Sequence, residues 1–210
     1  MTMDGEDGST VVSLPLHIIL FPILDELQHT DLSAAQTLRA AFSKVEQKNP
    51  GFSQDFVNGI LKNKSPSVDL TESLLKLAAY DSEEYRITLA RARVPQLNEQ
   101  ARRLKLILAR LPDEANDRPQ FLQTIKDIAS AIKDLLEAVN VVFKNNEAFR
   151  RPEHKRPFHK RKSAFFTSSK LFSESLKKYF KDGNIRHVYS CALQLVRDTN
   201  AILVLLKAIM

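Results

Sequence analysis

Between residues 119 and 144, Leu122, Ile125, Ala129, Ile132, Leu136, Val139 and Phe143 recur at alternating steps of three and four. That spacing places them on one stripe of an α-helix and matches the period of a helix–helix seam. A strand would alternate every second residue. The segment is therefore expected to be one long helix with this stripe in a helical core. Three further segments, 96–111, 163–181 and 185–210, carry helical patterns of similar length. Their breaks are Pro112-Asp113, a basic stretch at 145–162 holding two prolines, and Asp182-Gly183-Asn184. Four amphipathic helices with three connections describe a four-helix bundle over 96–210. The last, HVYSCALQLVRDTNAILVLLKAIM, is apolar on most faces and should be the most buried.

The N-terminal part reads as shorter helices. One runs from Pro15 to about Gln28, with a kink expected at Pro22. The next begins near Ser33, whose spacing to Gln36 suits a capping box, and stops at Asn49-Pro50-Gly51. Ser53 is placed to cap a helix through Ile60 and Leu61. Asp69 and Glu72 have cap spacing ahead of LTESLLKLAAY. Only five glycines occur among 210 residues, and no alternating apolar run joined by Asn-Gly or Asp-Gly turns is present. The expected fold class is all-α. Residues 1–10 are expected to be disordered, 11–81 to form a small helical domain, and 82–95 a linker to the bundle. So small a module with so much apolar surface suits dimerisation.

Charge is uneven. Residues 1–94 hold 9 Lys and Arg against 13 Asp and Glu, and the remainder holds 22 against 12. Two modules with different partners would explain this. The densest run, RRPEHKRPFHKRK, is a solvated loop or a contact for anionic membrane. Its cations are Arg150, Arg151, Lys155, Arg156, Lys160, Arg161 and Lys162. Nucleic acid is not expected, since no aromatic interleaving or recognition-helix pattern accompanies them. One cysteine, Cys191, fits a reducing compartment and a buried thiol. No phosphate loop, HExxH, GxSxG or paired cysteine points to catalysis, and no cofactor is expected. His154 and His159 lack the acidic or thiol company of a metal site. The acidic start of the chain does not read as a signal peptide, and VVSLPLHIILFPIL is too short for a bilayer span. A cytoplasmic protein is expected.

Two octamers repeat one design. KDIASAIK at 126–133 and KLFSESLK at 170–177 each begin and end in lysine. On a helix, Lys126, Ala129 and Lys133 share a stripe, as do Lys170, Ser173 and Lys177. The apolar Ile128, Ile132, Phe172 and Leu176 lie to the side, where they can anchor the helices in the core. If the two helices are neighbours, the stripes border a groove with a small floor and lysine rims. An amphipathic helix with acids on its flanks would suit it. The alternative is a pair of solvated helix faces.

LSAAQTLRAAF, NPG-x-x-QD, TESLL, FLQTIKDIASAIK and YFKDG after a Lys-x-x-Ser-x-x-x-Lys helix together resemble the programmed cell death protein 10 (cerebral cavernous malformation 3 protein) family, from about residue 11 onward. The resemblance implies a non-enzymatic adaptor. It implies an N-terminal helical dimerisation domain and a C-terminal four-helix bundle similar to a focal adhesion targeting domain. The N-terminal domain would form homodimers, or heterodimers with germinal-centre-type Ste20 kinases, through Leu38, Ala41, Ile60 and Leu61. The bundle would bind acidic leucine-rich helical motifs of paxillin, striatin and a cavernous malformation partner through Lys126, Ala129, Lys133, Lys170, Ser173 and Lys177. The family is also linked to phosphoinositides, the Golgi and plasma membrane, cell survival and tube or vessel formation. The linker segment TLARARVP is basic, where the family's is acidic and proline-rich.

Overall fold

The computed structural model describes residues 13–79, 85–88 and 93–210. The stretch expected to be disordered, 1–10, lies outside them, as do 89–92 of the basic linker segment. The chain divides into two compact units at Ser65/Pro66. No strand occurs among the described residues.

The first unit opens with a π-helical turn, Leu16–Leu20, that runs into α1 (Phe21–Gln28). Just before Pro22 the helix widens for five residues, and Phe21 N–H reaches back to the Leu16 carbonyl. Pro22 then falls in the first turn of α1, where no N–H is required. α2 (Leu32–Lys48) is capped two residues earlier than the Ser33 spacing suggested. Asp31 accepts from the Ala34 N–H at 2.9 Å. Asn49 and Pro50 end α2, and Gly51 turns the chain at φ 96°, a left-handed value that glycine tolerates.

α3 (Phe52–Lys64) is not capped by Ser53. Its first amides are instead held by Glu46 from the end of α2, which accepts from Gly51 N–H at 2.8 Å and Ser53 N–H at 2.7 Å. Glu46 is buried beside Ser13 and Ser53. Burial raises its carboxyl pKa, but the polar groups of Ser53, Gly51 and Ser13 outweigh that and hold it below the usual range. The apolar core here is thin: Leu14, Leu16, Leu20, Leu24, Ala35 and Val57. One carboxylate thus sets the α2–α3 corner.

In the second unit, Asp69 caps α4 (Leu70–Leu77) as its spacing predicts, accepting from Thr71 and Glu72. α4 packs on α8 (Ile185–Ile209) and α5 (Val94–Glu114), within this unit rather than with the N-terminal helices. Lys76 reaches Asp113 of α5 at 2.8 Å and Glu72 at 3.1 Å, and these carboxylates hold its ammonium pKa up. Tyr189, buried on α8, is pushed up to about 12 by burial and then by the Glu72 carboxylate, so it stays neutral. Residues 85–88 fall in the segment expected to be a linker, yet they are docked. Tyr85 and Ile87 are buried, and the Asn98 amide pairs with both backbone groups of Ile87.

The four long helices are α5 (Val94–Glu114), α6 (Arg118–Asn145), α7 (Pro152–Asp182) and α8 (Ile185–Ile209). α5 packs on α6, α7 on α8, and α5 on α8. As expected, α8 contributes the most to the core, with Val188, Ala192, Leu195, Val196 and Leu206 fully or nearly buried. Pro112 does not stop α5; it sits in the last turn and forfeits a single hydrogen bond. Gly183 ends α7 at φ 74°, donating to the Tyr179 carbonyl.

The largest departure from expectation is 145–162. After a short 3-10 turn at Glu147–Arg150, the basic run is helical and forms the first turns of α7. Pro152 is tolerated there, but Pro157 lies inside the helix, which costs about 3 kcal/mol. Phe158 offsets it. Its ring is fully buried, stacks on Phe143 of α6 at 4.2 Å and meets Phe149 at 5.7 Å. Burial of about 1.5–3 kcal/mol plus about 0.5–1.5 kcal/mol for the ring contacts covers the cost.

Replacing Glu46 by Gln should cost the α2–α3 corner about 1–3 kcal/mol, because one amide loses a charged acceptor. Hydrogen exchange of the Gly51 and Ser53 amides should accelerate. Since the native carboxyl pKa is lowered, its stabilisation is full above the ordinary carboxylate range and fades as pH falls through the native value. That acid sensitivity should be missing in Glu46→Gln. Unchanged exchange of both amides would contradict the clasp.

Candidate peptide groove and dimer surface

α6 and α7 run antiparallel without the close backbone packing of the α5–α6 and α7–α8 pairs. Side chains bridge them at two places. At one end Phe143 stacks on Phe158, and Lys162 Nζ donates to Asn140 Oδ1 at 2.6 Å. At the other, Phe121 meets Tyr179 at 5.5 Å and Phe180 at 6.4 Å. Bulky rings at both ends prop the helices apart along the middle. This register sets Lys126 across from Lys177, and Lys133 across from Lys170.

All six stripe residues, Lys126, Ala129, Lys133, Lys170, Ser173 and Lys177, are exposed. Ile128, Phe172 and Leu176 are buried as anchors, but Ile132 is only half-buried. The reason corrects the seam expectation. The core stripe of α6 is Phe121, Thr124, Ile128, Ala131, Leu135, Ala138 and Val142. The three-four stripe lies to one side of it. Only Val139 of that stripe is buried; Ile125, Ile132, Leu136 and Phe143 are half-buried, and Leu122 and Ala129 are exposed. A seam-like stripe of α6 therefore stays largely open to solvent, with no close backbone packing of α7 on α6. A shallow groove of about 570 Å³ runs along it past Ala129, Ile132, Leu136 and Asn140.

Two residues of this site, Phe166 and Phe180, escaped the sequence reading, and a third, Leu122, belongs to the stripe expected in the core. Phe166 is 51% exposed with Lys170 Nζ 4.6 Å above its ring. Leu122 and Phe180 are exposed at the opposite end. Phe166 stands one turn before Lys170, so helical spacing alone could have joined it to the stripe. The Asn140–Lys162 bond had no signal short of the register itself.

The basic run is split by its helix. Arg151, Lys155, Arg156 and Lys160 are exposed, Arg161 is half-buried, and Lys162 is turned to Asn140. The side chain of Arg150 lies outside the described residues. Arg151 and His154 also border a cavity of about 890 Å³ at the end of the bundle, with Val142, Asn146 and Met210. His154 Nδ1 lies 2.8 Å from the Ala148 carbonyl oxygen. Cys191 is half-buried rather than fully so, with His187 Nε2 4.0 Å from its sulfur.

In the first unit, Leu38 is 40% and Ile60 47% exposed, Ala41 is exposed and Leu61 half-buried. Ile23, Leu32 and Phe56 add to this apolar surface. Phe42, Phe52 and Phe56 form a ring cluster at 5.2–6.2 Å where α2 meets α3. With six buried apolar side chains and five large exposed ones among its described residues, this unit has unpartnered apolar area, as interfaces do.

No helix among the described residues is long and apolar enough to cross a membrane. Residues 8–67 match the family model for the programmed cell death protein 10 dimerisation domain, and 68–157 match that for the C-terminal domain. The programmed cell death protein 10 homolog of Caenorhabditis elegans is 35% identical over 207 residues, covering 94% of each chain. With both domain models matched in order and a relative aligned over nearly its whole length, the chain belongs to the programmed cell death protein 10 family.

Proposed function

We propose that this chain is a non-enzymatic dimeric adaptor. Its first unit pairs with a second copy, or with the C-terminal tail of a germinal-centre-type Ste20 kinase, through Leu38, Ala41, Ile60 and Leu61. Its second unit binds acidic leucine-rich helical motifs of the kind expected in paxillin, striatin and a cavernous malformation partner. The scaffold so formed serves kinase signalling, cell survival, Golgi organisation and tube formation. The observation that carries the reading is the pair of exposed Lys-small-Lys stripes set in antiparallel register along the α6–α7 gap. Small residues let a ligand helix approach, and the four ammonium groups favour acids on both its flanks.

A second reading draws on the helical basic run. Lys155, Arg156 and Lys160 are exposed on one rigid segment held down by Phe158, and such a face suits phosphoinositide headgroups at the plasma membrane or Golgi.

Leu38→Asp with Ile60→Asp should weaken self-association or kinase-tail binding by about a hundredfold or more, since each places a charge in a dry contact. Sedimentation of the full chain reads this, and a folded double variant that still dimerises would exclude the surface. In Lys126→Glu/Lys170→Glu, two attractions become repulsions. An acidic leucine-rich helical peptide should then bind about tenfold more weakly or worse, and wild-type binding should fall with salt. Phosphoinositide vesicles distinguish the second reading. Lys155→Gln/Arg156→Gln/Lys160→Gln should release the chain from them while leaving peptide affinity intact; retained flotation would count against that reading.

A further inference from the structure

We propose that Phe166, with Leu136 and Ile132, forms an apolar end subsite of the groove and takes a large aliphatic or aromatic side chain from the end of an acidic ligand helix. The inference rests on the groove being a helix-binding surface and specifies what the bound helix must carry. The Lys162–Asn140 bond fixes the register. By that antiparallel register, Leu136 on α6 and Phe166 on α7 each lie one turn inward from the bonded pair, with Ile132 one turn further along α6.

Three observations make this place apolar and open. Phe166 is half exposed although it is large and has Phe165 fully buried beside it, so the core has no use for it. The Ser169 hydroxyl on the next turn donates to the Phe166 carbonyl at 2.8 Å and so turns its donor away from the groove. Lys170 lies over the ring at 4.6 Å, which holds an ammonium at the rim and leaves the ring edge for a ligand.

The occupant follows from charge and period. Lysines rim the groove on both sides, so the ligand's flanks are acidic. The α6 wall from Leu122 to Leu136 keeps the three-four spacing of a coiled-coil seam, which only another helix can match along its length. Fourteen steps of about 1.5 Å give a wall about 21 Å long, or about four turns. Its middle is narrow-walled, with Ala129 and Ser173, while its ends carry large side chains: Leu136 and Phe166 at one, Leu122 and Phe180 at the other. A shorter helix bridging only the four lysines would leave Phe166 wet.

Fluorescence anisotropy on the full chain tests this. The probe is a labelled synthetic helical peptide of about 18 residues, long enough for the wall. It carries leucines at alternating steps of three and four and glutamates on both flanks. Each leucine is changed in turn to serine. One near an end of the peptide should cost about tenfold in affinity for wild type and little for Phe166→Ala, which has already lost the subsite. Phe166→Leu, which keeps an apolar wall, should retain the penalty. If every serine peptide suffers the same loss with Phe166→Ala as with wild type, the subsite is overturned while the groove stands. If wild type does not bind the parent peptide, the groove itself fails and the subsite with it.

Discussion

The second unit depends on the aromatic props that hold α6 and α7 apart. Phe143 on Phe158 spaces one end, and Phe121 against Tyr179 and Phe180 spaces the other. Were these positions small, the two helices could close on each other as α5 closes on α6. The three-four stripe of α6 would then be core, as its spacing suggests. With the props in place, Ile132 and Leu136 stay half wet and the lysines line a gap instead of a seam. The free energy for binding is thus stored as apolar surface that the bundle has left uncovered. Phe158 has a second effect, since its burial lets a basic, proline-containing segment extend α7.

The first unit solves a different problem with a charge. Its buried apolar set is small, so packing alone supplies little to fix the angle between α2 and α3. The Glu46 carboxylate does so by holding two otherwise unsatisfied amides at the start of α3. Such a clasp is local and directional. It leaves Leu38, Ala41 and Ile60 outward instead of drawing them into a core. An exposed apolar face and a polar-held hinge are what a unit needs if its stability is completed by a second chain.

Much of this was legible in the sequence. Helix periods, the Asp69 cap, the Asn49-Pro50-Gly51 stop and the two lysine stripes all follow from spacing, because spacing fixes which residues share a helical face. What sequence could not give is which face meets which neighbour. The stripe from Leu122 to Phe143 has the period of a core seam whether α7 is close or propped away. Ser33 and Ser53 had cap spacing, yet Asp31 caps α2 and Glu46, five to seven residues upstream, holds the amides that open α3; nearby carboxylates took the place of the hydroxyls. Pro157 looked like a helix breaker because its compensation, the Phe143–Phe158 stack, spans fifteen residues of chain.

The most direct test of the account is hydrogen–deuterium exchange of the full chain titrated with an acidic leucine-rich helical peptide. If the two octamers form one groove, segments 126–133 and 170–177 gain protection together and at the same peptide concentration, and the first turns of α7 change little. Protection of one octamer without the other, or of neither while the peptide is bound, would mean that the two lysine stripes are separate solvated faces.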